Sequence, residues 1–148
     1  MAKTWLVGFD FSDCSQRALE LAATELNAED GHILIVHAHT TGDLPSGEDV
    51  DDSGANPAQH AQGFDLATSL EEVAHAMRKE HEGIEFETVL RREVASKAIV
   101  ATAEERGVDR IVLGTRGHSA VGQMFVGSTA NRVIQSAKVP TLVVPCGE

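Results

Sequence analysis

A chain of 148 residues with 42% apolar content can bury one substantial core and is too short to divide comfortably into two domains. Its formal charge of −11 excludes generic nucleic-acid binding, because an acidic surface repels a phosphate backbone. No apolar run approaches the roughly 18 residues that a membrane span needs, and the opening Met-Ala-Lys-Thr-Trp passes straight into a strand pattern with no sign of a signal peptide.

Residues 4–9 (TWLVGF) are apolar and β-rich, which predicts a buried strand that Asp10 ends. Asp13 with Gln16 fits a capping box, and Ser12 with Ser15 fits it less well. A first helix is therefore expected from there, with Ala18, Leu19, Ala22, Ala23 and Leu26 on one face and residues 27–31 closing it. Residues 32–38 (HILIVHA) form a second strand, whose unbroken apolar middle suits a parallel sheet covered on both faces. Residues 40–59, rich in Asp, Gly, Ser and Pro, read as one long acidic loop. Helical spacing of Leu66, Leu70, Val73, Ala74 and Met77 predicts a second helix over 64–77. A third strand is expected at 84–90 and a third helix at 94–106, with Gly107 as its C-cap and Arg106 favourably placed in its last turn. Residues 110–113 (RIVL) give a fourth strand, 130–137 a fourth helix and 141–144 a fifth strand bracketed by Pro140 and Pro145.

This alternation of strand and helix predicts a single doubly wound α/β domain. The polar and glycine-rich signals fall after the first and fourth strands. In the order 3-2-1-4-5 those strands are neighbours, and a ligand crevice opens between their C-terminal ends.

The most informative stretch is 114–129, GTRGHSAVGQMFVGST, set between the fourth strand and the fourth helix. Glycines let backbone N–H groups approach an anion, and a helix N-terminus adds donors and a favourable dipole. The sequence is not a P-loop, because Gly127 rather than Lys precedes Ser128, and it lies too late in the chain for a dinucleotide fingerprint. The Gly127 N–H is expected to face a phosphate, and the Ser128 and Thr129 hydroxyls either cap the helix or touch a phosphate oxygen. Arg116 is the one fixed positive charge inside the loop, so a divalent metal would have to offset phosphate charge.

The spacing G-x2-G-x9-G-[ST], carried by Gly114, Gly117, Gly127 and Ser128, resembles that of the ATP-binding branch of the universal stress protein family. The likeness extends over nearly the whole chain, from the strand ending in Asp10 to the last strand. It implies the strand order 3-2-1-4-5 and a nucleotide site formed by Phe9, Asp10, Ala38, Leu113, Gly114, Gly117, Gly127, Ser128 and Thr129. Asp10 would hold the adenosine end, and the backbone at Ala38 would recognise adenine. Phe9 stands where relatives often carry Val, and Ala38 where a larger aliphatic residue is commoner. The expected ligand is ATP with Mg2+ or Mn2+. The resemblance also implies a regulatory role in stress response, a homodimer through the last strand and a protein partner of unknown identity. A slow ATPase or phosphate-transfer enzyme on the same site is the alternative, as is a nucleotide-independent partner-binding protein; no general base or Lys/Arg finger stands out to support catalysis.

Other features read more plainly. His37 and His39 share one sheet face and suit a solvated or hydrogen-bonded strand-end pair better than a metal site. The Asp49–Gly54 stretch begins like an EF-hand, but its twelfth position is His60 instead of Glu. Cys14 and Cys146 lie far apart and lack metal-type spacing, so free thiols in a reducing cytoplasm are expected.

Overall fold

The computed structural model describes residues 3–26, 31–39, 57–115 and 127–146, with 57–65 as backbone only. The elements are β1 (Lys3–Gly8), α1 (Asp13–Leu26), β2 (Gly31–Ala38), α2 (Pro57–Glu80), β3 (Ile84–Arg91), α3 (Ala95–Arg106), β4 (Arg110–Gly114), α4 (Ser128–Ser136) and β5 (Thr141–Val144). The strands form one sheet in the order β3-β2-β1-β4-β5. Every neighbouring pair is parallel, as the crossover helices require.

Strand periodicity divides the core in two. Trp5, Val7, Ile33, Ile35, Ile84, Phe86 and Val112 point to the face covered by α1 and α2. Leu6, Leu34, Val36, Ile111 and Leu113 point to the other face, against Ile99, Ala103, Ala130 and Val133 of α3 and α4. Side chains alternate across a strand, so a continuous apolar run supplies both cores at once. Gly8 sits where this second core is tightest. A Cβ there would lie 2.6 Å from Leu113 Cδ2 and 2.9 Å from Ile99 Cδ1.

Three local expectations are corrected. The first helix is capped by Ser12 rather than Asp13: the Ser15 N–H donates to Ser12 Oγ at 3.1 Å, and Ser15 Oγ returns a bond to the Ser12 carbonyl at 3.0 Å. Ser12 prevails because Asp10, two residues earlier, accepts from its N–H at 3.0 Å and holds its backbone out of the helix. The second helix begins at Pro57 rather than near residue 64. Residues 57–63 lack an apolar stripe, but Pro is favoured at a first helical position and Ala and Gln extend a helix on propensity alone. The fourth helix starts at Ser128, two residues before the apolar pattern begins. Gly107 adopts the left-handed conformation expected of a C-cap, with φ of 62°. Arg106 does more than face the helix dipole: it grips Glu87 of β3 through both guanidinium nitrogens, at 2.7 and 3.1 Å.

Candidate functional site

β1 and β4 are adjacent, and their C-terminal ends carry the two turns that the sequence singled out. The strand order reverses between them, since β2 and β3 lie to one side and β4 and β5 to the other. A parallel sheet opens its ligand crevice at such a reversal.

The turn after β1 is held by side chains. The Phe9 N–H continues the sheet by donating to the Val36 carbonyl at 2.8 Å. The Phe9 carbonyl contacts His37 Nδ1 at 2.8 Å, which fixes the ring of His37 as a buried, hydrogen-bonded strand-end histidine. Asp10 Oδ1 accepts from the Ser12 N–H and hydroxyl, and the Asp10 N–H donates to Ser15 Oγ at 3.2 Å. Phe11 turns the chain with φ of 66°, a left-handed conformation uncommon for a bulky residue. Its ring packs edge-on against Phe9 and His37, with centroids 5.1 and 5.0 Å away, and that packing holds the conformation in place. Phe11 escaped sequence reasoning, because no local pattern marks a phenylalanine for a left-handed turn.

The turn after β4 is held by backbone. Gly114 ends the strand where α1 presses closest. A Cβ on it would lie 2.6 Å from Cys14 Sγ and 3.0 Å from the Cys14 carbonyl oxygen. Gly114 is therefore required by helix packing, whatever else approaches it. Thr115 continues the ladder, its N–H donating to the Val144 carbonyl at 3.0 Å. The Gly127 N–H donates to the Thr115 carbonyl, which corrects the expectation that this N–H faces a phosphate. Gly127 is extended, with φ of −62° and ψ of 164°, and forms the N-cap of α4 without a side-chain cap bond. Ser128 and Thr129 lie in the first turn, so neither hydroxyl serves as the cap. The leading N–H groups of α4 thus lack an intrahelical partner. Gly117, Arg116 and the rest of 116–126 lie outside the described residues, as does the acidic segment 40–56.

The remaining site residues divide by exposure. Leu113 and Phe9 are buried in opposite cores. Ala38 is half-buried at the end of β2, on the far side of β1 from β4, in register with Arg91. Asp10, Gly114, Gly127 and Thr129 are half-buried, and Ser128 is exposed. Among the described residues, no group of three or more His, Cys, Asp or Glu is arranged to hold a metal. Also among them, no helix is long and apolar enough to cross a membrane.

The expectation of free thiols is overturned. Cys14 and Cys146 form a disulfide, with Cα atoms 5.0 Å apart across a sequence separation of 132. The pairing follows from the fold: α1 starts beside the end of β4, and the chain leaving β5 passes the same point. Thr115 Oγ1 lies 3.8 Å from Cys14 Sγ and 3.6 Å from Cys146 Sγ.

Residues 1–145 match the universal stress protein family. A universal stress protein of Thermus aquaticus, described by its place in the QAH/OAS sulfhydrylase 3' region, is 33% identical over 97% of this chain and 99% of its own length. The solved structure of the hypothetical protein MJ0577 superposes with a TM-score of 0.85 at 20% identity, over 99% of this chain and 97% of that one. A universal stress protein in complex with cAMP gives 0.69 at 23% identity, over 98% of each chain. The Archaeoglobus fulgidus universal stress protein in complex with dAMP gives 0.64 at 24%, over 97% of each.

Proposed function

The chain belongs to the universal stress protein family, and from that premise we propose that it is an ATP-binding regulatory protein whose nucleotide selects its conformation or dimer state. The observation that carries this reading is the start of α4. It has no side-chain cap, follows a G-x2-G-x9-G-[ST] loop, and stands at the strand-order reversal. Open helix N–H groups behind a glycine-rich loop suit phosphate oxygens. In this reading Gly117, Ser128 and Thr129 take the phosphates, with Gly114 and Gly127 flanking them, while Asp10 and Ala38 take the adenosine end, above the floor formed by Phe9 and Leu113. Two residues have narrower roles than the motif implies. Gly114 is a glycine for the sake of α1, and Gly127 aligns α4 through Thr115, leaving the N–H groups that follow it to meet the ligand.

With a net charge of −11, phosphate binding calls for Mg2+ or Mn2+ as counter-charge. Calorimetry with ATP and Mg2+ tests the proposal. Binding that weakens on chelation is expected, and no heat and no thermal shift at millimolar ATP would sink it. The complexes of two relatives with cAMP and dAMP favour a second reading, an adenine mononucleotide as resident ligand. Titration with AMP beside ATP separates the two, and an acid extract of purified protein shows which base travels with it.

The family resemblance also carries a homodimer. β5 is a sheet edge of four apolar or uncharged residues, with Leu142 and Val143 half-buried. An edge of this kind pairs with a second copy across a two-fold axis. Val143→Lys is expected to shift a dimer toward monomer in light scattering without unfolding it. A wild-type chain that is monomeric at high micromolar concentration disposes of the idea.

A further inference from the structure

We propose that Cys14 and Cys146 are a reversible thiol–disulfide clasp that tightens the hold of the α4 N-terminus on nucleotide when closed and loosens it when open. The part concerning nucleotide rests on the reading just given; the clasp itself does not.

The chain has two cysteines in all, and the fold brings them together at the edge of the crevice. Cys14 lies in the first turn of α1, two residues from the Ser12 cap that Asp10 holds. Cys146 lies two residues beyond β5, which pairs with β4. The bond therefore ties the turn after β1 to the end of β5, with the end of β4 between them. Thr115 is the point of transmission. Its hydroxyl rests near both sulfurs, its N–H holds Val144, and its carbonyl accepts the N–H of Gly127, the cap of α4. Gly114 lies against the same sulfur, close enough that a Cβ on it would meet Cys14 Sγ at 2.6 Å, so the end of β4 and the disulfide share one contact. A change at the disulfide is felt at Thr115, and a change at Thr115 re-aims the start of α4. Closing the clasp fixes Thr115 and the start of α4, which strengthens binding by lowering the ordering cost.

The chemistry balances by thiol–disulfide exchange. Cys14 is buried and Cys146 half-buried, so an external thiolate such as that of glutathione reaches the Cys146 sulfur. It forms a mixed disulfide there and displaces Cys14 as a thiolate, which takes a proton. A second external thiolate attacks the external sulfur of the mixed disulfide and releases Cys146. The protein bond gains two electrons, and two external thiols become one external disulfide. The reverse sequence, with glutathione disulfide as oxidant, closes the clasp. In a reducing compartment such a pair is a dithiol under ordinary conditions and a disulfide under oxidative challenge.

The test uses the full chain equilibrated in glutathione buffers of graded ratio. Alkylation and mass spectrometry are expected to show both thiols lost together, as an intramolecular pair. Hydrogen exchange at 114–115 and 127–131 is expected to be slower in the oxidised protein. The affinity for ATP with Mg2+ is expected to be about fivefold or more tighter in the oxidised form, the low end of ordinary coupling between sites. Cys146→Ala should match the reduced protein under both conditions. Cysteines that alkylate independently, or exchange rates identical in the two states, overturn the clasp. Equal ATP affinity in both states overturns its coupling to the site. Absence of ATP binding in both states overturns the proposed function and the coupling with it, while the exchange rates still decide the clasp.

Discussion

The two edges of the sheet are held by different physics. On the β3 side the contacts are charged. Arg91 bonds Glu93 at 2.7 Å and Glu105 at 3.0 Å, Arg106 forks onto Glu87, and Arg78 joins Glu71 to the Phe86 carbonyl. On the β5 side the contacts are covalent and backbone: the Cys14–Cys146 bond, and Thr115 bridging Val144 and Gly127. Among the described residues, Lys138–Glu104 is the ion pair that lies away from the β3 side. Exposed ion pairs are individually weak and tolerate movement, whereas backbone bonds and a disulfide fix geometry without adding charge. A site that recognises anions through N–H groups needs the second kind of support, because its donors cannot be re-aimed by a side-chain rotamer.

The largest expected effect is on the β5 side. Reducing the disulfide removes a cross-link that closes nearly the whole chain, and is expected to cost about 2–4 kcal/mol of stability. In a scanning calorimeter that is a fall in Tm of about 5–15 °C. A fall below about 2 °C would mean that the bond adds little to what the backbone ladder already does. Next is Gly114→Ala, whose Cβ meets both the sulfur and the backbone of Cys14. Backbone cannot yield, so a loss of about 1–3 kcal/mol in urea unfolding is expected, with impaired disulfide closure. Gly8→Ala is the sharpening control. Its Cβ meets the ends of the Leu113 and Ile99 side chains, which can turn aside, so it should cost less than Gly114→Ala.

Gly127→Val probes the same side through binding. A β-branched side chain at the cap of α4 crowds the approach to the helix start, and at least about a tenfold loss of ATP affinity is expected, about 1.4 kcal/mol. Circular dichroism shows whether the fold is kept, and unchanged affinity in a folded variant would move the phosphate site elsewhere.

The smallest effect belongs to the charged side. The Arg106 guanidinium, through its hydrogen bonds, holds the Glu87 carboxyl below the usual carboxylate range. A carboxyl with a lower folded than unfolded pKa stabilises the protein fully above its unfolded value, and loses that contribution as pH falls through the folded value. Glu87→Gln is therefore expected to cost about 0.2–1 kcal/mol near neutral pH, discounted because both partners are exposed, and progressively less as pH falls through the folded value. High salt should shrink the difference. A cost that does not shrink on acidification would show that packing, not charge, unites α3 with β3.

Much of this molecule is local and was legible as such. The apolar runs of β1 and β2, the turn chemistry of Gly107 and the helical stripe ending at Met77 each depend on neighbours within a few residues, so spacing alone specifies them. The strand–loop–helix context and glycine spacing of the candidate site belong to the same class. What the sequence could not determine depends on residues brought together from far along the chain. Phe9 and His37 stabilise the left-handed Phe11. Cys14 makes Gly114 a glycine, and Thr115 claims the N–H of Gly127. Cys14 finds Cys146 because parallel strands carry α1's start and the end of β5 to the same end of the sheet. Side-chain and backbone polarity are visible in a sequence, but the partner that satisfies each group is chosen by the tertiary packing.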